Sequence, residues 1–203
     1  MSVSKLDVFN YLMGFSAIIL GLGITCLFDG VSKLIQNKRS YKVYWVHLIW
    51  ALFVFLLQLN YWWGLWIYIP SVSDWTFILY IIIIIPAIIL FIMSDMMFPN
   101  NLIEAEATFN LKLYYYETLR TPLFLLLGSY FFLTGLVRFI VEIDPLLSTN
   151  NLLRIVGLLI ALLLYKSNNI RLHFVFSIVS LMVLIFYLIS FSFQPLYLIS
   201  VSY

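Results

Sequence analysis

Six apolar runs, each close to the length of one bilayer crossing, take up most of the chain and restrict it to a bundle of membrane-spanning helices. One crossing takes roughly 20 mostly apolar residues at about 1.5 Å of rise each. The runs cover approximately residues 8–29, 44–69, 75–93, 122–143, 147–165 and 172–193. Composition agrees: 64% of the 203 residues are hydrophobic and 10% are charged, against about 45–50% and about 25% in soluble domains. The expected fold is all-α, a single six-transmembrane-helix bundle without a separate soluble domain. The opening run is longer than a signal-peptide core and lacks a small-x-small cleavage site, so it reads as a retained span. A single Cys26 permits no internal disulfide, and a net charge of +2 leaves no footprint for nucleic acid.

The basic residues are sorted between the gaps. Lys33, Lys38, Arg39, Lys42, Lys112, Arg120, Lys166 and Arg171 lie in the odd gaps, leaving Lys5, Arg138 and Arg154 for the other side. The positive-inside rule then puts the odd gaps in the cytoplasm and both termini on the non-cytoplasmic side of a cell (inner) membrane. Trp62, Trp63, Trp66 and Trp75 flank the first outer connection, where an aromatic belt is expected. The same basic gaps imply contact with anionic lipid on the cytoplasmic side.

Between spans three and four, Leu102, Ala105, Phe109, Leu113 and Tyr116 recur at helical spacing. They predict an interfacial amphipathic helix with Glu104 and Lys112 towards water; the alternative is a cytoplasmic extension of the fourth helix.

Polar and small residues recur on one face of each of five spans. On the first, Asn10, Gly14, Ala17, Gly21 and Thr25 align, with Asp29 slightly further round. His47 and Gln58 share a face of the second span, Gly128, Gly135, Arg138 and Glu142 of the fourth, Arg154, Gly157 and Ala161 of the fifth, and His173 and Ser177 of the sixth. The natural assembly turns these stripes inward, as close packing faces or as the lining of a wet path. A stripe left facing outward marks an interface between copies.

A charge at mid-membrane is costly unless paired or wetted. Arg138 and Glu142 are four apart and can pair on one helix. Together with Arg154 they predict an outer-leaflet cluster, with Asp144 and Asp74 nearby. Asp29 stands four residues before Lys33, the spacing of a local pair. His47 and His173 are the only histidines and fall at similar depth in spans two and six. Two such groups without a carboxylate at ligand spacing give no metal or haem site, and no cofactor is expected.

The sequence contains no phosphate loop, zinc-binding helix, nucleophile elbow or redox cysteine pair. The expected function is therefore non-enzymatic: an oligomeric pore or translocating assembly for ions or small solutes, with a homo-oligomer as the expected state. The alternative is a membrane-embedded interaction or sensory subunit with a cytoplasmic protein partner, including a membrane-disrupting effector.

Overall fold

The computed structural model of the chain describes residues 5–37, 41–72, 75–99 and 109–192. Among these, six helices are long and apolar enough to cross a membrane. They are α1 (Lys5–Gln36), α2 (Trp45–Gly64), α3 (Phe77–Asp95), α4 (Leu111–Ile140), α5 (Thr149–Lys166) and α6 (Ile170–Ser192). A turn of 3-10 helix, Leu65–Ile67, and a short helix, Tyr68–Ser71, continue α2. The ends of the helices follow local chemistry: Thr76 caps α3 by accepting from the Leu79 amide, and Ser148 caps α5 by accepting from that of Asn151.

Helices α2, α3 and α4 form the buried centre, while α1, α5 and α6 lie at the perimeter. The closest pairings are α4 with α5 and α1 with α3; α6 packs on α2, and α5 and α6 touch only sparsely. Gly157 permits the tight α4–α5 approach, since a Cβ there would lie 2.7 Å from the Phe131 ring. Arg120, at the start of the apolar part of α4, donates to the Tyr165 and Ser167 carbonyls, both at 2.9 Å. It thereby satisfies carbonyls that the end of α5 leaves open. Inside α3, Pro86 interrupts the backbone ladder, and the Tyr61 hydroxyl of α2 donates to the Ile83 carbonyl in the turn before it.

Lys33, Lys42, Lys112, Lys166 and Arg171 all stand at or next to the same ends of these helices, here termed the basic end, and Arg120, inside α4, reaches the end of α5 there. At the opposite, termini end, Trp66 and Trp75 meet the Phe9 ring of α1 at a tilt, with ring centres 5.6 and 6.0 Å away. A two-residue parallel ladder at the basic end, β1 (Tyr41–Lys42) with β2 (Phe109–Asn110), ties the start of α2 to the start of α4.

Two expectations change. For the interfacial helix, Leu102, Glu104 and Ala105 lie outside the described residues, whereas Phe109 is in β2 and Leu113 and Tyr116 belong to an extension of α4. The face that is buried is Leu111, Tyr115 and Leu119, spaced by four, and Leu113 is exposed, because this segment packs into the bundle rather than on its surface. The second change concerns the stripe on α1. Asn10, Gly14, Ala17, Gly21 and Thr25 all face outward, and a Cβ at Gly14 or Gly21 would meet nothing within 4 Å. The face turned to α2 and α3 carries Phe9, Leu20, Gly23, Leu27 and Leu34 instead. Gly23 and Gly30 on that face permit the close approach, since a Cβ at either would collide with Gln58 or Phe98, while large side chains such as Tyr11, Phe15 and Phe28 are left outside with the small stripe. The stripes on α2, α5 and α6 do face inward, with His47, Gln58, Ala161, His173 and Ser177 buried; on α4 Gly128 is buried and Glu142 is exposed.

Candidate functional site

Helix α4 ends in a backbone motif that builds the most highly charged region of the interior. Glu142 adopts φ 58°, the left-handed conformation usually taken by glycine one residue past a helix cap. The Ile143 amide then reaches the Arg138 carbonyl at 2.9 Å and the Glu142 amide that of Phe139 at 3.1 Å, the paired bonds of a Schellman turn. The chain reverses, and Asp144 is carried back over the last turn of α4. Its Oδ2 accepts from Arg138 Nη1 at 3.3 Å and from Arg154 Nη1 of α5 at 2.9 Å. Asn150 donates to the other carboxylate oxygen at 3.1 Å. Asn151 donates to the Asp144 and Pro145 carbonyls and accepts from Arg154 at 2.7 Å.

The expected pairing of Arg138 with Glu142 is therefore replaced by pairing with Asp144. Spacing of four brings side chains together only while the helix continues, and α4 stops at Ile140. Glu142 is exposed and enters no ion pair among the described residues. Burial alone would raise the pKa of Asp144, but the two guanidinium groups and the Asn150 amide outweigh it. They hold the carboxyl below its ordinary 3.8, so it is charged at neutral pH.

These ions are enclosed: the Arg138 and Arg154 side chains are 13% and 14% exposed and that of Asp144 is 6% exposed. Two cations share one carboxylate, so the cluster keeps one surplus positive charge. Such a charge is costly away from water unless a counter-ion is supplied.

Both arginines line a cavity of about 190 Å³ enclosed by α2, α4, α5 and α6. Its charged end also carries Asn60, Tyr68 and Tyr187; the Arg138 guanidinium lies 5.9 Å from the centre of the Tyr68 ring. Apart from Thr134 and Ser180, the wall beyond this end is apolar or aromatic, including Leu127, Phe131, Leu153, Ile160 and Leu184. Along α2 the lining runs from Gly64 to Trp50, a rise of ~21 Å at about 1.5 Å per residue. A second hollow of about 230 Å³, on the far side of the α4–α5 pair, shares Phe131 and Arg154 with the first.

At the basic end the cavity stops at an aromatic plug. Trp50 packs edge-on against Phe124, with ring centres 5.0 Å apart, and Phe124 in turn meets His173 at 5.5 Å. The Ser167 carbonyl is an acceptor, so His173 Nε2 donates to it at 2.8 Å; Nδ1 of the neutral ring then accepts from the Tyr115 hydroxyl at 2.8 Å. Tyr115 opens a π-helical turn, Tyr115–Leu119, and also meets His47 edge-on. Its ring thus stands between the two histidines. His47 is wholly buried among Phe98, Tyr114 and Tyr115, and neither ring nitrogen has a partner in hydrogen-bond geometry. Among the described residues no group of three or more His, Cys, Asp or Glu is placed to hold a metal ion.

The other expected residues lie apart from this cavity. Gln58 donates to Ser94 of α3 at 2.5 Å, and its Oε1, which has no partner, occupies the space opposite Gly23 of α1. Asp29 pairs with Lys33 at 2.6 Å. Asp74 is outside the described residues. Sequence reasoning undervalued Asp144, Asn150 and Asn151. The readable signal was a turn, Asp144-Pro145, followed by Ser148 three residues before Asn151, the spacing of a helix cap.

Fold and site together describe a helical bundle holding a cationic-ended apolar cavity. No protein-family model, curated protein or solved structure matches this chain.

Proposed function

We propose that this protein is a non-enzymatic multi-pass membrane protein that takes an anionic ligand into its arginine-ended cavity and translocates it. One observation carries the reading: Arg138 and Arg154 share a single carboxylate at the end of a cavity, leaving one positive charge for a ligand to neutralise. The ~21 Å run of the lining along α2 covers much of a hydrocarbon core about 30 Å thick, as a translocation path requires. The aromatic plug keeps that path shut at the basic end. The distribution of basic residues supports a cytoplasmic basic end, in contact with anionic lipid, and arginines on the outer side of a cell membrane.

A panel of monocarboxylates of increasing chain length, compared with amines of the same lengths, tests the reading on the purified full-length chain in neutral detergent. Carboxylates should raise the melting temperature, amines should not, and Arg138→Gln should remove the difference. Equal effects of both series, or of neither, would refute anion binding.

A second reading concerns assembly. The small and polar stripe of α1 faces away from the bundle, and such faces bring helices of separate copies close together in lipid. It supports a homo-oligomer with α1 at the seam, each copy keeping its own cavity. Mass measurement in mild detergent tests it; a monomer at every concentration would exclude it.

A further inference from the structure

We infer that the ligand is a single-chain anionic amphiphile, one negatively charged head on one hydrocarbon tail, and that it reaches the cavity sideways from the bilayer between α5 and α6. The inference rests on the anion-binding reading above and adds the tail and the route. Head and tail have separate places: the two guanidinium groups, Asn60 and Tyr187 gather at one end, and beyond them the wall is Leu127, Phe131, Ile160 and Leu184. A hydrophilic anion would leave that apolar length facing nothing it can interact with, whereas a tail removes it from water or vacancy. A volume of about 190 Å³ exceeds only modestly the ~150 Å³ apolar cavity that accepts one benzene ring, so it takes roughly the first eight carbons of one chain, the rest of the tail lying in the seam towards the bilayer, and has no room for the pair carried by a phospholipid. A head bearing one charge matches the surplus left by Asp144.

The route follows from the seam. Val156 of α5 and Val179 and Val183 of α6 line the cavity, yet are 51%, 42% and 46% exposed. They have one side in the cavity and one on the outer surface, at the place where α5 and α6 meet only sparsely. A tail arriving from the lipid passes between valines without crossing a polar layer.

Palmitate, hexadecanol and acetate serve as the three probes, with the full-length chain in nanodiscs of neutral phosphatidylcholine. Palmitate should bind saturably, with hexadecanol and acetate each weaker by about tenfold or more. Arg154→Gln should bring palmitate down to the level of hexadecanol, while Glu142→Gln should leave it unchanged. Val183→Trp, filling the seam, should slow palmitate binding by about tenfold at unchanged melting temperature. Acetate binding as tightly as palmitate would overturn the tail and leave the anion site standing. Hexadecanol equal to palmitate would overturn the charged head, and with it the anion reading. An unaltered palmitate association rate in a normally folded Val183→Trp protein would overturn the lateral route.

Discussion

Arg154 meets Asp144 at 2.9 Å across the α4–α5 connection, on the same carboxylate oxygen that Arg138 contacts at 3.3 Å. Removing the acid and removing a base are therefore unequal changes. Asp144→Asn leaves two enclosed cations without a counter-ion and should cost about 3–5 kcal/mol. Arg138→Gln leaves one cation and one anion still paired and should cost roughly 1–2 kcal/mol. Thermal unfolding of both variants in one detergent measures the gap; equal losses would show that charge balance does not govern the cluster.

The same carboxylate sets a pH dependence. Asp144 has a folded pKa below its unfolded 3.8, so its contribution is complete above that value and is lost as pH falls through the lower, folded value. Melting temperature should be flat from pH 8 to about pH 5 as far as this group is concerned and should fall below about pH 4. In Asp144→Asn that acid limb should shrink, which a series of melts across pH would reveal.

Glu142 works through its backbone. Its left-handed conformation is natural for glycine and costs other residues about 1–2 kcal/mol. Glu142→Gly should therefore stabilise the protein by roughly 1 kcal/mol and leave ligand affinity unchanged. Destabilisation, or loss of binding, would mean that the carboxylate itself acts in the site.

Glycines on opposite faces should respond differently. At Gly157 a Cβ would stand 2.7 Å from the Phe131 ring, whereas at Gly21 it would meet open space. Gly157→Ala should cost about 1–3 kcal/mol by overpacking. Gly21→Ala should be neutral or stabilising by up to ~1 kcal/mol through helix propensity. Gly21→Leu adds an assembly readout, because it should dissociate an α1-mediated oligomer without lowering the monomer's melting temperature.

At Gln58 polarity and packing can be separated. Its Oε1 is buried without a partner, while Ser94 keeps a bond to the Leu90 carbonyl at 2.8 Å whatever stands at position 58. Gln58→Met removes the unpaired oxygen at similar volume, so stability should hold within about 1 kcal/mol or rise. A loss above about 3 kcal/mol would show that the Gln58–Ser94 bond is needed to hold α2 to α3.

The six helices were legible because apolar length is additive along the chain: the expected run at 44–69 meets Trp45–Ile67, and that at 147–165 meets Thr149–Lys166. Inward-facing stripes were legible on α2, α5 and α6 because helical period sets which residues share a face. The α1 face was not, since periodicity identifies two sides of a helix without saying which one its neighbours will take. Nor was the choice of Asp144 over Glu142 legible. It depends on one left-handed residue ending α4 two positions after Arg138, and a spacing rule assumes that the helix goes on. The cavity is a property of four helices together and leaves no mark on any single stretch of sequence.

Arg120 fastens one end of α5 to α4, and Arg138, through Asp144 and its neighbouring asparagines, fastens the other. A helix pinned at both ends by the same partner cannot swing away from it, so α4 and α5 behave as one rigid plate. Any opening that admits the proposed ligand would then fall to α6, which meets α5 only sparsely and follows the short polar link after Lys166, and the width of the cavity mouth would be a matter of how far that one helix leans.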